Sequence, residues 1–360
     1  MVRLTRAQQQ ERTRTAVLTA ARQEFAEHGY VEAKVDRIAE RAELTRGAVY
    51  SNFPSKRALY LAVLVHTVER SAGEAVGEAP RSVAEAVGAF ARVWLERLPL
   101  TGDSAEGGRL HLRSLSGVLG DEPGRAALAQ LLRLEALLLA LPLEAHTPKN
   151  TRRVRQAELV LTLLNGSAGL AETAPGFGDP FDVARACEHL AAIDLPDAWN
   201  PPHLPYASPA QPGDEAWTPP AGLSDQITGR QVDLDADGVL VVLGARRLAA
   251  AEEAVRAARP GDRVTVIVVT SDPAEIGRLV RLRIGDLTAG LRRVFAVDAW
   301  LPLRLVIDEQ ALVATAIGRP EADDETEVAV RIRNGKIVAR AEGRGAAHAA
   351  AVAGAANTTP

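Results

Sequence analysis

Residues 35–60, VDRIAERAELTRGAVYSNFPSKRALY, decide the fold of the N-terminal part of this 360-residue chain. Val35, Ile38, Ala39 and Ala42 recur at helical spacing and define one buried stripe. Leu44 is placed to plug a turn, and Val49 with Phe53 to seat a second short helix on the first. Thr45, Arg46, Gly47, Ala48, Ser51 and Asn52 then face outward. Thr45 can cap the second helix by accepting hydrogen bonds from its orphan amides. The smallness of Gly47 and Ala48 lets the start of that helix sit close to another surface. Pro54 stops the helix, Ser55 opens a third, and Lys56 lies in its first turn. A lysine there opposes the helix dipole, a placement that suits a nearby phosphate. Two helices joined at a tight turn, with this outward face, form the arrangement that sets a helix into the major groove of DNA.

The segment resembles the TetR family of bacterial one-component regulators from about Arg12 to Leu64. The resemblance is strongest in Thr45-Arg46-Gly47-Ala48-Val49-Tyr50, Phe53-Pro54-Ser55-Lys56 and Leu59. It implies that Thr45, Arg46, Gly47, Ala48, Tyr50 and Asn52 lie on a recognition helix and that Lys56 meets a phosphate. Two positions depart from the family pattern. Ala33 and Lys34 stand where a hydroxyl residue is usual, so that Lys34 would supply the phosphate contact instead. Glu43 replaces the usual turn glycine, at some cost in strain, because a left-handed backbone is cheap only for glycine.

The flanks agree with this reading. Thr5-Arg6-Ala7-Gln8 has the form of a capping box, and a helix with Val17, Leu18, Ala21 and Phe25 on one face should end at Gly29. Residues 1–60 hold eleven Lys or Arg against seven Asp or Glu, a net of +4. With −4 for the whole chain, the remainder carries −8. A basic head on an acidic body is the electrostatic footprint expected of a DNA-binding protein, and its affinity should fall steeply with salt.

The length fits two or three domains, and 47% hydrophobic with 24% charged residues is an ordinary globular composition. The longest uncharged apolar run, around Ala136–Leu143, is too short to cross a bilayer. The N-terminus is charged at once, at Arg3 and Arg6, with no apolar signal region behind it. A single cysteine, Cys187, excludes an internal disulfide, a CxxC redox pair and a cysteine-based zinc site. The seven histidines are scattered. These features predict a cytoplasmic protein with no membrane association, no metal, no cofactor and no catalytic residue.

Residues 61–195 read as a helical body. Leu59, Tyr60, Val63, Leu64 and Val68 carry one helix out of the head. Ser82–Leu98, Leu110–Leu119, Pro123–Leu141 and Thr151–Thr173 are predicted to follow as helices. Pro123–Leu141 is apolar on more than one face and so should be buried on several sides. The helix after it holds Gly166, Ala168 and Gly169, which lower helix propensity but allow close helix contact. These last two helices are expected to form a homodimer interface, a four-helix bundle across a two-fold axis, as the TetR resemblance also implies. The resemblance further implies a small-molecule effector pocket in the body. Candidate lining residues are Phe90, Trp94, His111 and Arg113, with Leu112 and Leu115 beside them.

Eight prolines between Pro196 and Pro220 favour extended chain, so 196–224 reads as a linker. Residues 225–345 switch to alternating strands and helices and predict a small α/β layer domain. Its expected strands are Gly238–Leu243, Arg263–Thr270, Leu303–Ile307, Leu312–Ile317, Glu327–Ile332 and Ile337–Arg340. Helices are expected over Arg246–Ala258, Pro273–Ile284 and Leu287–Phe295. Asn334-Gly335 is a two-residue hairpin signal. Residues 346–360 are expected to be a loose tail. The fold class is thus multidomain: an all-α helix-turn-helix head, a helical bundle, and an α/β layer domain.

The α/β part resembles the thioredoxin-like superfamily, with Pro302 at the position of its characteristic proline and Leu248 and Ala251 where its two cysteines would stand. It is also similar to small sulfur-carrier proteins, with Val241-Val242 nearest their Cys-Pro pair. Either way thiolate chemistry has no nucleophile here, and no phosphate-binding glycine loop appears. The expected function is a ligand-responsive dimeric transcriptional regulator, a repressor in most such families, reading a palindromic double-stranded DNA operator. The alternatives make the α/β domain a module for sensing or for a protein partner, or an enzyme fused to a sensor.

Overall fold

The computed structural model describes residues 5–70, 79–98, 110, 112–147, 151–300 and 302–353. The capping box forms at the start of α1 (Arg6–Glu32): the Thr5 hydroxyl accepts from the Gln8 amide, and the Gln8 side chain accepts from the Thr5 amide. At Gly29, with φ 68°, the chain kinks and then makes one more turn, so the expected helix end is a bend. Helices α2 (Val35–Arg41) and α3 (Arg46–Asn52) follow, and α4 (Lys56–Arg70) leaves the head.

The body contains α5 (Val83–Leu95), capped by Ser82, then α6 (Glu122–Glu144), α7 (Val154–Thr173) and α8 (Pro180–Leu190). Residues 112–119, expected to be helical, are turns and coil. Gly88 lets α5 approach α8: a Cβ there would fall 2.1 Å from the Glu188 carboxylate. By length and composition α6 could cross a membrane, contrary to the sequence expectation, but two-thirds of its most apolar stretch is buried inside the protein.

The two helices expected at a dimer interface, α6 and α7, differ in exposure. Every residue from Leu134 to Leu143 is buried within this single chain, so the C-terminal half of α6 has no free face to offer a second copy. Exposed apolar side chains lie instead on α7 and beside or on α8, at Leu159, Leu170, Phe177 and Phe181.

The C-terminal part is a six-stranded mixed sheet in the order β1-β6-β5-β2-β3-β4. Its strands are β1 (Gln211–Ala216), β2 (Gly238–Gly244), β3 (Arg263–Val269), β4 (Leu303–Ile307), β5 (Glu327–Arg333) and β6 (Lys336–Glu342). β2, β3 and β4 are parallel, while β5 pairs antiparallel with β2, as β6 does with β5 and β1 with β6. The period-two pattern sorts β2 cleanly: Val239, Val241 and Leu243 face a core shared with the helices, whereas Leu240 and Val242 face a smaller core with Trp217, Ile267 and Val330. Asn334 and Gly335 both take positive φ at the hairpin, as their sequence predicts.

Several boundaries differ from expectation. The proline-rich stretch is not linker throughout, since Gln211–Ala216 adds an edge strand, with Pro212 at an edge position where its missing amide is tolerated. The stretch expected as a tail includes helix α12 (Ala346–Val352), whose Ala346, Ala347, Ala349, Ala350 and Ala351 are buried. Leu312–Ile317 forms a helical turn, α11 (Leu312–Ala316), because the buried Asp308 carboxylate accepts the Leu312 and Val313 amides at 2.9 and 2.8 Å. The two helices expected over 273–295 are one, α10 (Arg278–Val294), entered through a wide turn at Pro273–Gly277. Helix α9 (Ala250–Ala257) lies after β2, and Leu248 and Ala251 are both fully buried there. Pro302 immediately precedes edge strand β4, and Leu301 lies outside the described residues.

The α/β part is not packed as a separate body. Helix α10 lies against α4, α5 and α6, and Leu279, Leu282, Leu287 and Leu291 belong to the same hydrophobic core as Leu61, Phe90 and Leu138. The Trp300 indole donates to the Leu138 carbonyl at 2.8 Å. Buried charges stitch the seam. Glu135 of α6 takes Arg283 of α10 bidentately at 2.7 and 2.6 Å, and Asp286 takes both Arg97 and Arg113.

Candidate nucleic-acid interface

The turn between α2 and α3 forms as its residues require. The Leu44 amide donates to the Ala39 carbonyl at 2.9 Å, and Leu44 packs against the core. Glu43 takes φ 55°, the left-handed conformation expected to strain a residue with a Cβ. Thr45 caps α3, its hydroxyl accepting from the Ala48 amide at 3.2 Å, while Val49 and Phe53 are buried beneath.

The exposed start of α3 consists of Thr45, Arg46 and Gly47, with Ala48 and Tyr50 half-buried behind them. A Cβ on Gly47 would meet only the Thr45 hydroxyl, at 3.8 Å, so this surface is open to a close approach. Arg46 lies over the Tyr50 ring, 5.5 Å from its centroid, and pairs with Asp36 at 3.2 Å. The Tyr50 hydroxyl first, and the Asp36 carboxylate next, hold the Arg46 pKa above its ordinary value. Lys34, at the N-cap of α2, is exposed and makes no side-chain cap.

Two predicted contacts point elsewhere. The Asn52 amide donates back to the Ala48 carbonyl at 2.9 Å. The Lys56 ammonium donates to the Val31 carbonyl at 2.9 Å and sits 5.0 Å from the centre of the Tyr30 ring. Burial pushes the Lys56 pKa down. Both side chains are engaged within the head itself.

Sequence reading missed the group that holds α2 in place. Glu24 of α1 is completely buried; it accepts the Lys34 amide at 3.0 Å and pairs with Arg37 at 2.8 Å. Arg41 reaches both Glu24 and Glu27. The signal was available: Glu24 falls on the apolar face marked by Val17, Ala21 and Phe25, where a lone carboxylate must find partners. Glu24, Glu27 and His28 also lie close enough together to hold a cation, but the two carboxylates are already engaged by arginines.

In the body, Trp94 and Arg113 line a cavity of about 260 Å³ with Leu112 and Leu115. Phe90 is buried behind Trp94, at 5.9 Å between ring centres, and does not reach the cavity. His111 lies outside the described residues. Arg283 of α10 forms one wall, and Arg97, lying over Trp94, has its pKa pushed down to about 10 by burial.

Residues 17–63 match the family of bacterial regulatory proteins, tetR family. The chain is 38% identical over 65 residues to the HTH-type transcriptional repressor Rv1474c of Mycobacterium tuberculosis, covering 18% of this chain and 35% of that protein. It is 37% identical over 59 residues to the HTH-type transcriptional regulator UidR of Escherichia coli K12, covering 16% and 30%. The chain therefore spans about a third of the length of these curated relatives. Among solved structures, a TetR transcriptional regulator from Rhodococcus sp. RHA1 aligns with 52% of this chain and 98% of its own, at 19% identity and a TM-score of 0.32.

Proposed function

We propose that this chain, whose residues 17–63 match the tetR family of bacterial regulatory proteins, is a cytoplasmic dimeric repressor that reads a palindromic operator through α3. The observation that carries the reading is the exposed, Thr45-capped start of α3, seated on α2 within the matching segment. Thr45, Arg46, Gly47, Ala48 and Tyr50 meet bases and phosphates, and Lys34 adds a phosphate contact. Lys56 and Asn52 join after their side chains turn outward.

Two copies join through the exposed apolar faces of α7 and α8, around Leu159, Leu170, Phe177 and Phe181. This places the two recognition helices in successive major grooves, about 34–36 Å apart or a multiple of that. A compact effector in the cavity beside Trp94 and Arg113 shifts the pair of heads out of register. To do so it must prefer the non-binding state by a few kcal/mol. Glu275, at the entrance to α10, bonds both Ser55 and Arg57 where the head joins α4, which supports a second role for the α/β domain as a sensing module acting directly on the head.

The test is selection of host genomic fragments by the purified full chain, followed by sequencing. Enrichment of an imperfect palindrome is expected. Absence of any enriched sequence, at low salt and in cell extract that supplies effectors, would refute the operator reading.

A further inference from the structure

At the seam between the head and the α/β domain lies a cleft of about 700 Å³, walled by α1, α4 and the entrance to α10. Clefts of this volume hold small-molecule ligands. Its cationic lining is Arg14 and Arg22 from α1, Arg70 from α4, and Arg278 and Arg281 from α10; Glu11, Glu69 and Glu309 stand against them. Arg281 is answered by Glu309 at 2.8 Å.

Arg14 and Arg278 have no such answer among the described residues. Both lie over the Phe53 ring, 4.9 and 5.3 Å from its centroid, and both are half-buried. Arg278 donates to the carbonyls of Ala58 and Ala274. Burial first, and then the charge of Arg14, push its pKa down, while the Glu309, Asp272 and Glu275 carboxylates oppose the shift. Two like charges thus share one aromatic ring, and no ion pair to either forms among the described residues. Cations held partly out of water without a paired carboxylate are costly, and guanidinium groups match oxyanions bidentately.

We propose that this cleft binds a small phosphorylated molecule whose oxyanions bridge Arg14 and Arg22 of the head to Arg278 of the α/β domain. A phosphate or diphosphate carries more negative charge and more acceptor oxygens than one carboxylate, which suits a lining with three guanidinium groups. The ligand would span a joint already tied by Glu275 to Ser55 and Arg57, and so would fix the head relative to the rest of the chain. Its effect on DNA affinity rests on the proposed function; the site itself does not.

Inorganic pyrophosphate titrated calorimetrically into the full chain, without DNA, tests the site. Saturable binding is expected, weakened at least tenfold by Arg14→Gln and by Arg22→Gln and unchanged by Arg155→Gln, which lies in a different cleft. Arg22 is exposed, so its variant should melt like the parent and keep the comparison clean. Absence of saturation, equal affinity in the Arg14 and Arg22 variants, or an equal loss with Arg155→Gln would overturn the proposal. One-for-one displacement of pyrophosphate by duplex DNA of arbitrary sequence would also overturn it, by assigning these arginines to the DNA backbone.

Discussion

Removing Arg283 should destabilise the whole chain in a pH-dependent way, and the dependence identifies the group responsible. Glu135 is completely buried and Arg283 is 13% exposed, in a bidentate pair joining α6 to α10. Arg283→Met leaves Glu135 without its counter-ion, a loss of about 3–5 kcal/mol at neutral pH. Burial already holds the Glu135 pKa above its ordinary value of 4.5, and Arg283 is the first group opposing that shift. Without it the folded-state pKa rises further. The folded state then binds more protons than the unfolded state above pH 4.5, so stability falls as pH rises until the folded pKa is passed. The slope is at most about 1.4 kcal/mol per pH unit, which makes the loss at pH 7 up to about 2.7 kcal/mol greater than at pH 5. Urea unfolding followed by circular dichroism at both pH values measures this. The double variant Glu135→Leu/Arg283→Met should recover to within about 1 kcal/mol of the parent, because a buried ion pair can be replaced by apolar groups at little cost. Because α10 shares the body's core, helical and sheet signals should be lost in one transition. A loss under about 1 kcal/mol that is equal at both pH values, or a double variant no better than the single, would refute the argument.

Three further outcomes are expected. Asp36→Asn frees Arg46 from an exposed pair and removes a negative charge from the head, so DNA affinity measured by fluorescence anisotropy should rise about two- to fivefold, in line with about 0.5–1 kcal/mol for such a pair; weaker binding would contradict the placement of Arg46. Glu24→Ala should cost about 1.5–3 kcal/mol, the worth of a hydrogen bond to a charged group, and melt α2 away from α1. Glu24→Gln should restore part of that loss, and a melting curve unchanged in the alanine variant would count against the buttress. Burial raises the Glu253 pKa to about 7, so this carboxyl stabilises the fold below pH 4.5 and loses that contribution as pH rises through 7. Glu253→Gln should therefore be more stable than the parent at pH 8 by up to about 3 kcal/mol with no gain at pH 4, a difference that thermal melts at the two pH values would show.

How far the sequence was legible depended on how local each signal is. The capping box at Thr5, the Thr45 cap and the Asn334-Gly335 hairpin are decided by residues within four positions of one another, and all three form as read. Strand β4 was read to the residue, because LRLVI is bounded by Pro302 and Asp308. Leu312–Ala316 was misread for a related reason: an apolar run this short carries no clear period, and the deciding cap came from Asp308. Of the residues proposed to face DNA, the exposed ones followed from helical spacing, whereas the side-chain contacts of Lys56 and Asn52 depend on the Val31 and Ala48 carbonyls. No spacing rule reveals where a long side chain finds its acceptor.

The packing of the C-terminal part against the helical body was not legible, because burial on two sides looks the same in sequence whichever neighbour supplies the second side. Helix α10 reads as an ordinary amphipathic crossover helix, and Leu279, Leu282, Leu287 and Leu291 could all have met its own sheet. The informative residues were the charged ones. Arg283 and Asp286 lie within the buried length of that helix, yet the complement they need is on α6 and the segment after α5, at Glu135, Arg97 and Arg113. A charge on a buried face demands a partner, and none is offered by the neighbouring strands. Cutting the chain at residue 221 would therefore strand Glu135 in the body without its counter-ion and uncover the apolar groove that α10 fills. The prolines between 196 and 220 separate two stretches of sequence, but they do not separate two cores. An α/β part packed on α4 and bonded through Glu275 to Ser55 and Arg57 shares the core of the body, so breaking the seam charges should weaken body and sheet together.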